Sequence, residues 1–169
     1  MSEQQDDQEW RRMLEEALRF EGPVDLVGVG NTIRGDDAFG VEVISRLRSS
    51  PSGSPQGIRV HPAAQMPERL LSKLASTVGR LIVFDSVEVS RPPGTMVCRR
   101  LGDTRYGFFA THNVPLKLIP GLGPRLADCY VVGVQPESLE VKEGLSAPVQ
   151  AAVETIVGFF AGRPGKRNG

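Results

Sequence analysis

Neither sign of charge is in excess: 20 basic and 20 acidic residues cancel over 169 residues. No global field therefore draws the chain to nucleic acid or to an anionic membrane. Basic residues are also scattered, without the clustering and aromatic interleaving of a nucleic-acid surface. Cysteine is sparse, and Cys98 and Cys129 lie far apart with no CxxC spacing. That excludes a zinc ribbon or redox pair and fits buried thiols in a reducing compartment. No run reaches the roughly 18 apolar residues of a membrane-crossing helix. The first residues are acidic and polar, unlike a signal peptide. A cytoplasmic monomer is expected, with neither membrane nor nucleic-acid partners. G-x-S-x-G and H-E-x-x-H are absent, and no Cys-His pairing has local support.

What remains is ordinary for one globular domain, with 40% hydrophobic and 24% charged residues. Residues 1–20 read as an amphipathic helix, with Trp10, Met13, Leu14, Ala17 and Leu18 at helical spacing, ended by Gly22-Pro23. Valine-rich VDLVGVG (24–30) reads as a buried strand, and 37–48 as a helix. A Ser/Pro/Gly loop (49–57), a strand IRVHPA and a helix 67–78 follow. RLIVFDSV (80–87) is the clearest central strand, and GTMVCRRL reads as an antiparallel neighbour. Residues 102–112 look irregular, and a short helix 113–122 has Asn113 as its N-cap. CYVVGVQP is another strand and 146–161 a closing helix.

This alternation predicts a three-layer αβα sandwich of the α/β class around a twisted, mostly parallel (mixed) sheet. The divisions are an N-terminal helix extension (1–22), one domain (23–162) and a disordered tail (163–169).

The segment GVGNTIRGDDAFGV (28–41) resembles a phosphate loop at first sight. The third glycine of a dinucleotide fingerprint is replaced by Ile33. The separation of Gly30 and Gly35 fits a P-loop, yet Asp36-Asp37 stand where Lys and Ser or Thr would contact phosphate and magnesium. Carboxylates there repel phosphate, so no nucleotide is expected. Both aspartates suit a helix N-terminus, where free N–H groups and the dipole favour negative charge. One cap needs one carboxylate, which leaves Asp37 able to serve as a hard oxygen ligand.

In a parallel sheet, ligands bind beyond the carboxyl ends of the strands. Asp37 follows the end of the first strand, and Asp85 ends RLIVFDS at the same edge. Asp85 reads either as a loop cap or as a second ligand. His112, in the loop segment ATHNVPLKL, is the third candidate. Two carboxylates and an imidazole suit a divalent metal with open positions.

Four segments in this order, GVGNTIRGDDAFGVEV, LIVFDSV, THNVPLKLI and VVGVQPESLEVKEGLSAPV, resemble the hydrogenase maturation endopeptidases. The pairing of THN-P with VGVQP is most similar to the branch serving formate-linked (formate-hydrogenlyase) and related membrane hydrogenases. The resemblance runs from about residue 24 to 160. It implies a twisted sheet between helices and an endopeptidase that removes a short C-terminal extension from the large-subunit precursor of nickel–iron hydrogenase after nickel insertion. Carried over, the family's metal-binding and catalytic positions fall on Asp37, Asp85 and His112, with Gly30, Asn31 and Asp36 as the supporting loop. Nickel is then expected to come from the substrate, either activating water or only positioning the scissile bond.

One departure stands out. The family often carries an aspartate, considered catalytic, after the second strand, and here His61 or Pro62 occupies that place. A nickel-recognising chaperone without cleavage, or a homologous hydrolase of another precursor, remains an alternative.

Overall fold

Strands whose apolar residues fail to alternate are covered on both faces, and three such runs make the centre of this sheet. They are β1 (Val24–Gly28), β3 (Arg80–Ser86) and β5 (Cys129–Val134), buried throughout except at Arg80. The short β2 (Ile58–Val60) and β4 (Met96–Arg100) form the two edges, giving the order β2-β1-β3-β5-β4. All neighbours are parallel except β4, which runs antiparallel to β5. The helices are α1 (Glu3–Leu18), α2 (Phe39–Arg48), α3 (Pro67–Ala75) and α4 (Ala147–Ala161). The computed structural model describes residues 3–50, 57–62, 67–75, 79–102 and 128–163. The expected helix 113–122 with its Asn113 cap lies outside the described residues, as does the tail from residue 164.

Alternation along the strands sends side chains to two cores. On one face, Leu26, Ile82, Phe84 and Val132 meet Trp10 and Leu14 of α1, Val43 and Ile44 of α2, and Val153 and Ile156 of α4. On the other, Val27, Val83 and Val131 meet Leu70 and Leu74 of α3. The result is the three-layer α/β sandwich with a mixed sheet that the alternation predicts. Trp10 is fully buried, and its indole N–H donates to Asp7 at 2.9 Å, satisfying the polar end of a large apolar ring.

Helix α2 comes very close to the sheet. A Cβ placed on Gly40 would lie 2.0 Å from the Phe84 carbonyl oxygen and 2.5 Å from that of Val29. Only a residue without a side chain lets the helix start there, directly above the carboxyl ends of β1 and β3. The sequence reading begins this helix at residue 37. Instead, a 3-10 turn spans Gly35–Ala38 and α2 starts at Phe39. β2 likewise ends at Val60 rather than continuing through 63. The His61 N–H still donates to Leu26, but Pro62 has no N–H to continue the ladder.

Edge strand β2 is tied to β1 by charge. Asp25, buried in β1 beside its register partner Arg59, accepts bonds from Arg59 Nε at 2.7 Å and Nη2 at 2.6 Å. His61 Nε2 lies 2.6 Å from the same carboxylate, which can only accept, so that nitrogen carries the proton. Burial opposes the charge on Asp25, but the hydrogen bonds from Arg59 and His61 outweigh it and hold the carboxyl below its usual value of 3.8.

Two predictions follow from this packing and pairing. Gly40→Ala should lower stability by roughly 1–3 kcal/mol through overpacking, whereas Gly158→Ala, in α4 with open space around it, should raise it by about 0.5–1 kcal/mol. Urea denaturation midpoints of the two variants read both signs. A folded-state pKa lowered at Asp25 contributes stability that is present above 3.8 and lost as pH falls through the folded value. Arg59→Met removes the main opposing group, so burial then pushes the carboxyl up. The variant should be less stable at pH 7 and lose less on acidification to pH 3. Denaturation curves across that pH range check it, and an unaltered acid limb would rule out the pairing.

Candidate active site at the carboxyl edge of the sheet

The chain leaves β1 through a backbone that only glycine tolerates. Gly30 has φ +144, and a Cβ there would sit 1.7 Å from the Asp37 carbonyl oxygen. This contact folds residues 30–37 into a closed loop. The Asn31 N–H points at both the backbone oxygen of Asp37 (3.2 Å) and its Oδ2 (3.1 Å). The Asn31 side chain turns the loop by accepting from the Ile33 N–H at 3.1 Å. Ser86, at the end of β3, donates its hydroxyl to Asp37 Oδ1 at 3.2 Å. Asp37 is thus oriented from two sides, although only 2% of its surface is exposed.

Asp85 immediately precedes Ser86 and is 1% exposed. Gly28 pairs with Phe84, and the Val29 N–H donates to the Phe84 carbonyl, so the ends of β1 and β3 lie side by side. Asp85 thus stands at the carboxyl end of β3, and Asp37, in the 3-10 turn Gly35–Ala38, reaches that end through its bond with Ser86. His112 lies outside the described residues. Among the described residues, no group of three His, Cys, Asp or Glu side chains gathers closely enough to hold a metal ion.

Asp36 does not cap a helix. Neither the 3-10 turn nor α2 has a side-chain cap. The Asp36 carboxylate, 1% exposed, points to the segment following β5. Its Oδ2 accepts from the backbone N–H groups of Glu137 (2.8 Å) and Ser138 (3.2 Å) and from the Ser146 hydroxyl (2.9 Å). Oδ1 accepts from the Ser146 N–H at 2.7 Å. Capping loses because Ala38 and Phe39, with helical backbones, carry the chain directly into α2. The carboxylate turns instead to a loop whose half-exposed N–H groups it pairs.

Sequence reasoning missed three supporting residues. Ser86 is the polar neighbour of Asp85 inside a buried run. Ser146 precedes α4 and joins Asp36. Gln135, at the end of β5, accepts from the Val89 N–H at 2.8 Å and the Arg91 N–H at 3.3 Å, holding the segment after β3. For Ser86 and Gln135 the signal is a polar residue ending an otherwise apolar strand. His61 stands at the end of β2 on its Asp25 partner rather than as an added carboxylate.

A family model described as hydrogenase maturation protease matches residues 41–162. The hydrogenase 3 maturation protease of Escherichia coli K12 is 28% identical over 133 residues, covering 78% of this chain and 84% of that protein. The hydrogenase expression/formation protein HoxM of Cupriavidus necator is 30% identical over 140 residues, covering 78% and 68%. The crystal structure of the nickel–iron hydrogenase maturation protease HycI from Thermococcus kodakarensis superposes with a TM-score of 0.70 at 25% identity, covering 88% of this chain and 96% of that one. Sequence and fold agree, and this chain belongs to the hydrogenase maturation proteases, hydrolases of peptide bonds.

Proposed function

We propose that the chain removes the C-terminal extension of a nickel–iron hydrogenase large-subunit precursor after nickel insertion, and that Asp37, Asp85 and His112 face the inserted metal. The observation that carries this reading is a pair of buried carboxylates at one edge, Asp85 at the end of β3 and Asp37 bonded to its neighbour Ser86. Nickel is here part of the substrate, and the donor set suits it: carboxylate oxygens and an imidazole are ligands of divalent first-row metals. The bonds from the Asn31 N–H and the Ser86 hydroxyl resemble the outer contacts that orient ligating carboxylates.

Nickel brought in by the precursor would polarise the scissile carbonyl or lower the pKa of a bound water. The chain's own share is orientation and proton transfer. The closed 30–37 loop fixes Asp37 before substrate arrives, so little ordering is left for the reaction itself. A carboxylate of the pair accepts the proton of the attacking water and returns it to the leaving amine. The precursor is proposed to be of the formate-linked type, on the resemblance of the THN-P and VGVQP segments.

The protein is proposed to act as a cytoplasmic monomer. Among the described residues, no helix is long and apolar enough to cross a membrane. Cys98 and Cys129 are buried thiols outside any disulfide, and burial pushes the Cys98 thiol up to about 12, far from reactive.

Mass spectrometry of precursor incubated with the protein tests the reading. Nickel-loaded precursor should lose its C-terminal extension, and nickel-free precursor should not. Asp37→Ala, Asp85→Ala and His112→Ala should each slow processing by about 100-fold or more, with circular dichroism unchanged. Undiminished cleavage by Asp37→Ala would sink the site assignment. Nickel-dependent binding without shortening would make the chain a recognition chaperone instead.

A further inference from the structure

The loops around Asp37 also build a ledge. The Lys142 N–H donates to the Ile33 carbonyl at 3.1 Å, and the Gly35 N–H donates to the Lys142 carbonyl at 2.7 Å. Arg34 and Lys142 are partners in a parallel β-bridge, and Arg34 Nε reaches the Leu139 carbonyl at 3.3 Å. Ile33 and Val141 each immediately precede one of these bridge partners, so the same pairing holds both positions on adjoining loops. They are the large hydrophobics that the described structure leaves exposed, at 54% and 82%.

A single apolar side chain in water is ordinary. Here two flank one bridge, on loops braced by three hydrogen bonds and by the Asp36 carboxylate beneath. The core does not use either one. The ledge runs through Gly35 and Asp36 directly into Asp37, so anything covering it lies beside the candidate active site. The family's substrate is a protein, and a protein whose scissile bond sits at Asp37 brings its own surface alongside Ile33. Charges around the ledge are mixed, with Arg34 and Lys142 among the exposed Glu137, Glu140 and Glu143. Attraction there is therefore apolar rather than charge-steered.

We propose that Ile33 and Val141 dock an apolar patch on the body of the large-subunit precursor, next to the tail that is removed. The proposal rests on the processing function given above. Steady-state cleavage of nickel-loaded precursor by Ile33→Asp, Val141→Asp and the double variant tests it, together with calorimetric affinity for the precursor and light scattering of each protein. Both positions are exposed, so the variants should keep the wild-type fold. The double variant should raise KM about tenfold or more, the equivalent of about 1.4 kcal/mol and within what burying such side chains supplies. Its kcat should stay within about twofold. Precursor affinity should fall in parallel, with little dependence on salt.

Wild-type KM and affinity in the double variant would overturn the ledge. A wild-type dimer that the substitutions convert to monomer, with precursor affinity unchanged, would overturn it in favour of self-association. If wild-type protein binds precursor without shortening it, the processing function fails, and the affinity comparison still decides the ledge.

Discussion

The Asp36 carboxylate is the joint on which this end of the molecule depends. A carboxylate has about four lone-pair positions, and four donors from Glu137, Ser138 and Ser146 occupy them. Those donors lie more than 100 residues away in sequence. One buried charge therefore fixes the loop after β1 to the loop after β5, the two segments that flank the strand ends. Without these bonds the half-buried N–H groups of Ser138 and Ser146 would lose their partners, at up to about 1–3 kcal/mol each. The charge would then lack the donors that make its burial tolerable.

From that joint the neighbouring features follow in order. With Asp36 turned outward to the distal loop, Asp37 is the residue that faces β3, where the Ser86 hydroxyl receives it. Gly30 lets the backbone of the first loop press against Asp37 itself, and Gly40 lets α2 start against the end of β3. Two adjacent aspartates thus do different work because the backbone between them turns. A 3-10 turn at Gly35–Ala38 makes that turn, where a regular α-helix starting at 37 would have placed both carboxylates on its first turn.

The central strands were legible in the sequence because their apolar runs are uninterrupted, and the antiparallel edge because GTMVCRR follows a tight Pro-Pro-Gly turn. That Asp37 follows β1 and Asp85 ends β3 at the carboxyl edge of the sheet was also legible, since the strand order places both there. The role of Asp36 was not. Its partners are backbone N–H groups, which no residue type announces, and they lie far along the chain. Propensity ranks Asp among the best helix caps, and that local preference yielded to a long-range demand for an acceptor. The network of Asp25, Arg59 and His61 was hidden for a related reason. It depends on the register between β1 and β2, which sets Asp25 opposite Arg59 and which periodicity alone does not give.

That register bears on the end of β2, where the family resemblance implies an additional aspartate. Here the position presents His61, whose Nε2 is committed to Asp25, and Asp25 is in turn clamped by Arg59. An imidazole held in this way stays in one tautomer and orientation and contributes no carboxylate to the edge. The negative charge nearby is already neutralised within the sheet by the guanidinium. In the proposed reaction, acid–base work at the scissile bond therefore falls to Asp37 and Asp85, whose positions are set by β1, β3 and the Asp36 joint. Asp37 is oriented by Asn31 and Ser86, on the first loop and β3, so that orientation does not require a carboxylate from β2.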